Sequence, residues 1–180
     1  MKKFIYLFIM MTLCACGQQA PMASGDRLVL DGGWKLSRDG GAEQYAAEVP
    51  STVAGVLAEA GYFGDALFEG RNYADVDKAP FDDAWTYRTT FAAKPAEGQF
   101  CELVFDGLNY YADIFLNGTQ LASSDTTFGV FCRRAYEVGS LLNGRNSLEV
   151  KLRRAQLGDL NIGFVDWNPR PFDESMGIVR

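Results

Sequence analysis

Between Trp85 and Phe91 the chain alternates, with Trp85, Tyr87, Thr89 and Phe91 on one side and Thr86, Arg88 and Thr90 on the other. A period of two is the signature of a half-buried strand. The same signal recurs in Phe100 to Asp106, in Tyr110 to Leu116, and in Phe128 to Val138. Asn117-Gly118 marks a tight hairpin turn into Gln120 to Ala122, and Asn143-Gly144 marks a turn before a strand from Ser147 to Arg153. Upstream, Leu28 to Leu30 leads into Gly32 to Leu36, read as a strand around a glycine turn. The expected helix runs from Thr52 to Ala60, with Ser51 as its N-cap and Gly61 as its stop. Tyr62 to Phe81 has no period but is rich in aromatics, so that loop is either functional or packed over something. Gln156 to Arg180 reads as a loop running across the fold. Short strands with a turn every eight to twelve residues define an all-β fold, a jelly-roll β-sandwich with one short helix.

The first residues read as an address. Lys2 and Lys3 precede an apolar run from Phe4 to Leu13. That run is far short of the ~20 residues a membrane-spanning helix needs, and it suits the core of a signal peptide. It ends in Leu13-Cys14-Ala15-Cys16, which resembles a bacterial lipobox. The resemblance implies cleavage after Ala15 and lipid on Cys16. The alternative is an ordinary signal peptide cut near Ala20 or Ala23. The preferred organisation is a signal peptide at 1–15, a tether at 16–27 and one domain at 28–180. Such a protein is exported and lipid-anchored in the cell envelope, in the periplasm or outer membrane, and touches the membrane only through its anchor.

Charge and composition narrow the chemistry. The net charge of −6 disfavours nucleic acid as a partner, because phosphate backbones are read by basic surfaces. The chain has no histidine. Ser-His-Asp and Cys-His nucleophile systems and His-containing metal sites are therefore outside its reach. No metal or other cofactor is expected. Of the four cysteines, the lipoprotein reading leaves Cys101 and Cys132 in an oxidising compartment. Each shares the parity of its strand's apolar residues, which fits two core thiols better than a disulfide, though both stay open.

Several segments together resemble the N-terminal sugar-binding domain of glycoside hydrolase family 2. They are Val49 to Val53 with its helix, Trp85 to Phe91, Leu103 to Gly107, Ala112 to Gly118, Tyr136 to Val138 and Asn146 to Val150. The most specific are Gly163-Phe164-Val165-Asp166-Trp167-Asn168-Pro169 and Met176-Gly177-Ile178-Val179-Arg180, which are similar to the exo-β-glucosaminidase and β-mannosidase-like branch. Val179 departs from the tryptophan usual in that branch. The resemblance implies a galactose-binding-like jelly roll whose catalytic carboxylates lie elsewhere, in a (β/α)₈ barrel. Retaining hydrolysis needs two carboxyl groups about 5–5.5 Å apart across the glycosidic bond. The chain is thus expected to stop before its catalytic domain, to hold no catalytic residue and to hydrolyse nothing alone. A terminal β-linked glucosamine, mannose or galactose is the implied ligand. A stand-alone carbohydrate-binding lipoprotein and an inactive remnant are the alternatives.

Three residues carry the substrate-binding expectation. By the resemblance, Asp166 accepts hydrogen bonds from hydroxyls of the terminal sugar, a role suited to a carboxylate. Trp167 offers an indole to the apolar face of a pyranose. Asn72, in Glu69-Gly70-Arg71-Asn72-Tyr73, matches a loop that approaches the family's pocket. The bland alternatives are a turn cap for Asp166, a core role for Trp167 and an ordinary loop amide for Asn72. Asp82 and Asp83 are read as solvated charges, Asp106 and Asp113 as turn and surface groups. Tyr110-Tyr111 is read as core, since alternation points one of the two inward. Asn117-Gly118-Thr119 fits a glycosylation sequon but is read as the hairpin turn alone.

Overall fold

A computed structural model describes residues 25–162 and 170–179. Strands β1 (Trp34–Arg38), β2 (Tyr45–Ala47), β3 (Ser51–Thr52), β4 (Trp85–Ala93), β5 (Glu102–Phe105) and β6 (Leu108–Asn109) precede β7 (Tyr111–Leu116), β8 (Thr119–Ala122), β9 (Arg134–Glu137), β10 (Gly144–Arg153) and β11 (Gly177–Ile178). Helix α1 spans Val53–Glu59. Six strands form one antiparallel sheet in the order β2-β1-β4-β10-β7-β8. The rest form a three-stranded sheet, β3-β11-β6, and a two-stranded one, β5-β9. This is the expected all-β jelly-roll sandwich.

Alternation builds the core. Leu36 pairs with Tyr87, Tyr87 with Val150, and Val150 with Ile114, so one row of inward side chains crosses four strands. All four are fully buried, and each such burial is worth roughly 1.5–3 kcal/mol. Helix α1 adds Val53, Val56 and Leu57, spaced i, i+3, i+4 on one face.

The helix is capped one residue later than expected. Thr52 Oγ1 accepts from the N–H of Gly55 at 3.1 Å, whereas Ser51 is drawn into β3 opposite Ile178. Gly61 does stop the helix. It sits at φ +74°, its N–H donates to Ala58, and the N–H of Tyr62 donates to Leu57. That paired bond pattern with a left-handed glycine is the Schellman motif.

Four further expectations are corrected. Leu28 and Val29 are exposed and form no strand. The strand read from Phe128 to Val138 shrinks to β9, because Gly129 turns the chain at φ +97°. The parity argument for Cys132 breaks at that turn. Cys132 is exposed rather than a core thiol, Cys101 is half-buried, and both are free. Finally, the C-terminal segment is more than a crossing loop. Met176, Gly177 and Ile178 are buried, and β11 lies between β3 and β6.

Candidate functional site

Turns of the 62–78 loop and the segment 170–176 meet beside α1. The loop packs two of its aromatics inward: Phe63 and Tyr73 each lie 5.1 Å, centroid to centroid, from the ring of Phe172. Phe81 contacts the same ring at 5.1 Å and stacks toward Trp85. Aromatic contacts of this kind add about 0.5–1.5 kcal/mol beyond area burial. The expected choice between a functional loop and a packed one thus resolves to packing for these rings.

Asn72 is exposed on this loop. Its Nδ2 donates to the carbonyl of Ala66 at 2.7 Å, and its own N–H donates to Glu69 at 3.1 Å. The side chain therefore closes a turn through its amide nitrogen, and its Oδ1 takes no part in that closure. Asp166 and Trp167 lie outside the described residues, as does Cys16. Their flanks are placed: Glu174 accepts from Arg170 Nε at 2.8 Å, and its carbonyl accepts from Asn161 Nδ2 at 3.2 Å. Tyr73 against Phe172 thus brings the Asn72 loop and this flank together.

Among the described residues, one buried carboxylate was not singled out by the sequence. Asp173 is 1% exposed. It accepts from the N–H groups of Ala54 at 2.8 Å and Ser175 at 2.9 Å. Burial pushes its pKa up, opposed by these two donors. The Tyr73 hydroxyl is also pushed up, first by burial and then by the charge of Asp173. Beside it, Asn109 is fully buried and its Nδ2 donates to the carbonyls of Glu174 and Ser175 at 2.9 and 2.8 Å. Glu174 and Ser175 hold φ of +55° and +56°. A non-glycine pair in the left-handed region is costly, and the Asn109 bonds hold it there. A buried Asp inside Pro171-Phe172-Asp173-Glu174-Ser175 has no period to announce it.

The other described acidic residues that the sequence singled out are held in ion pairs or by a backbone N–H. Asp82 pairs with Arg154 and Asp83 with Arg38. Asp106 pairs with Arg133 at 3.4 Å, and Asp113 accepts from the N–H of Ser124 at 2.7 Å. Tyr110 and Tyr111 pack edge to face at 4.9 Å, and Tyr110 is buried in a small separate cluster with Val130 and Ala155. Tyr111 donates to Asp159, which raises the phenol's pKa because the bond favours its protonated form. A cavity of about 770 Å³ lies between residues 25–31 and β5, lined by Trp34, Val49, Leu103 and Leu148, and shares no residue with the Asn72 loop.

An antiparallel sandwich of this topology, with one α-helix among the described residues and long loops, is a galactose-binding-like domain. Residues 34–162 match the glycosyl hydrolase 2 galactose-binding domain-like family, and the chain belongs to that family. It is 36% identical over 131 residues to an exo-beta-D-glucosaminidase of Hypocrea jecorina, covering 72% of this chain and 15% of the relative. It is 28% identical over 155 residues to a beta-mannosidase of Rattus norvegicus, covering 84% of this chain and 16% of the relative. The crystal structure of the Amycolatopsis orientalis exo-chitosanase superimposes with a TM-score of 0.76 at 26% identity, over 86% of this chain and 20% of that one. The chain spans about 15% of the length of the curated relatives it matches.

Proposed function

We propose that this chain is the sugar-binding accessory domain of an exported family 2 exo-β-glycosidase. Its ligand is a terminal β-linked glucosamine, mannose or galactose of a glycan. The observation that carries the reading is the family match over residues 34–162, shared with relatives named for glucosamine and mannose hydrolysis. The packing of the Asn72 loop, through Tyr73, on Phe172 in the C-terminal segment of the domain is compatible with this reading.

In this reading the domain orients sugar and another domain breaks the bond. Asp166 accepts from two hydroxyls through charge-assisted hydrogen bonds, Trp167 covers the apolar face of the ring, and Asn72 Oδ1 accepts from a further hydroxyl. The chain alone turns nothing over. Titrating it with glucosamine, mannose and galactose oligomers, followed by NMR, tests the reading. Saturable shifts that Asp166→Ala weakens about tenfold, at unchanged melting temperature, support it. The absence of shifts with all three sugars overturns it.

The proposal extends to address. Export with lipid on Cys16 rests on Leu13-Cys14-Ala15-Cys16 closing the apolar run. Cys16→Ser is expected to abolish fatty-acid labelling and detergent partitioning. A wild-type protein found wholly in the soluble periplasmic fraction overturns this part.

A further inference from the structure

The 62–78 loop displays one ring that no packing argument accounts for. Phe68 is 81% exposed, although burying a phenylalanine is worth roughly 1.5–3 kcal/mol. It is not a loose side chain. Its ring stacks on Tyr73 at 5.8 Å and an interplanar angle of 20°. Tyr73 is itself seated on buried Phe172 at 5.1 Å. One face of Phe68 is therefore held by a ring anchored in the core, and the rest of the ring is open. Phe131 and Phe100 are also exposed, but neither makes a ring stack with a described aromatic. The turn beneath is braced separately by the Asn72 bond to Ala66, two residues before Phe68.

The surroundings select the class of ligand. Phe68 is followed by Glu69, Arg71 and Asn72, all exposed and polar. A single ring in a polar rim is too small for a stable protein interface, which takes about 800 Å² from each partner. It suits a pyranose, whose C–H face packs on an aromatic ring while its hydroxyls reach polar groups at the ring's edge. Pre-stacking on Tyr73 lowers the ordering cost on binding.

We propose that Phe68, held on Tyr73, is a stacking platform for a pyranose ring of a β-linked oligosaccharide, with Glu69 and Arg71 meeting its hydroxyls. This deepens the proposed function and rests on the domain being a carbohydrate binder. The platform makes binding depend on chain length, because a ring stacked at Phe68 is a unit beyond the terminal one.

The test compares the full chain with Phe68→Ala and Phe68→Trp by NMR titration, using glucosamine monomer and tetramer and mannotetraose as probes. The proposal expects tetramers to bind more tightly than monomer, and Phe68→Ala to weaken tetramer binding about tenfold while leaving the monomer unchanged. A tenfold loss corresponds to about 1.4 kcal/mol. Phe68→Trp should retain or improve the tetramer affinity. Both variants should keep the wild-type melting temperature, since the ring is exposed. Tetramer binding that Phe68→Ala leaves intact but Asp166→Ala weakens overturns the platform and spares the function. Failure of every probe to bind overturns both.

Discussion

The backbone N–H of Ala54 donates to the carboxylate of Asp173 at 2.8 Å, joining residues 119 apart in sequence. Ala54 is the second residue of α1, so the carboxylate caps the helix from the far end of the chain, while Thr52 caps it locally. The same carboxylate takes the N–H of Ser175. One buried group thus fixes both the start of α1 and the turn that leads into β11.

Asp173→Asn should therefore destabilise the fold. The amide has one acceptor oxygen for two donors, and its NH₂ meets a backbone N–H. Leaving a buried donor unsatisfied costs about 1–3 kcal/mol. The pH dependence has a defined sign. Burial raises the folded-state pKa above the ordinary value of 3.8, so the folded state holds this proton more tightly than the unfolded one. The group's contribution is full below that ordinary value and declines as pH rises through the raised pKa. The gap in unfolding free energy between wild type and Asp173→Asn should be widest in acid and narrow upward. Urea melts of both proteins across that range measure it. A gap that widens with pH would show that the backbone donors outweigh burial.

Cys101 and Cys132, both free among the described residues, should not bridge to each other within a chain. The N–H of Val138 donates to the carbonyl of Cys101 at 2.8 Å, so Cys101 sits at the β9 end where Val138 is, and Cys132 lies six residues earlier on that strand's approach. At ~3.3 Å per residue the separation is on the order of 20 Å, far beyond the ~7 Å limit on Cα separation for a disulfide. Mass spectrometry under non-reducing, alkylating conditions should find both thiols labelled, with exposed Cys132 reacting faster than half-buried Cys101. An intramolecular Cys101–Cys132 peptide pair would contradict the pairing of β5 with β9.

How much was legible in the sequence follows from how each element earns its burial. β4, β7 and β10 alternate along their own length, so period two announced them. Helix α1 was legible because a left-handed glycine and an N-terminal hydroxyl are local signals, although two adjacent hydroxyls hid which one caps. β11 was not legible. It has two residues, and its burial comes from β3 and β6, both distant in sequence. The site divides the same way. Asn72 stood out through a motif, whereas Phe68 and Asp173 did not. Whether a phenylalanine is left open or an aspartate closed over depends on Tyr73, Phe172 and Ala54, which the fold alone assembles.

The two Asn-Gly turns should prove coupled. Asn117 Nδ2 donates to Asn146 Oδ1 at 2.9 Å and to the carbonyl of Leu141 at 2.8 Å, while its Oδ1 accepts from the N–H of Ser147. Asn146 is 1% exposed, donates to the carbonyl of Ala93 at 2.9 Å and accepts from the N–H of Asn143 at 3.0 Å. Asn146→Ala strands several of these groups and should cost about 2–3 kcal/mol. Asn117→Ala loses the same bond and must also hold φ of +51°, so it should cost a similar amount. The double variant should lose clearly less than the two single losses combined, because both remove one shared bond. Chemical denaturation of the four proteins measures this, and strict additivity would show that the two segments act independently.

Gly177→Ala should be the most damaging single methyl in the described chain. A Cβ there would stand 2.2 Å from the carbonyl oxygen of Ser51 and 2.7 Å from Thr52 Cα, both backbone atoms. No side chain can swing aside, so β11 must move away from β3. Yet β11 is the centre of its sheet, held opposite Thr52 and Asn109 by Gly177 and opposite Ser51 and Leu108 by Ile178. Moving it breaks pairing on both sides and draws Met176 and Ile178 out of the core. Overpacking typically costs about 1–3 kcal/mol, and the absence of a yielding neighbour puts this case at about 3 kcal/mol or above. A loss of that size is a large share of the ~5–15 kcal/mol that holds an ordinary domain together. Gly144→Ala is the informative control. A Cβ there would meet nothing within 4 Å, but the φ is +106°, so this variant tests backbone strain alone. Thermal melts should rank wild type above Gly144→Ala and Gly144→Ala above Gly177→Ala, and equal melting of the two variants would show that β11 is not wedged where its neighbours place it.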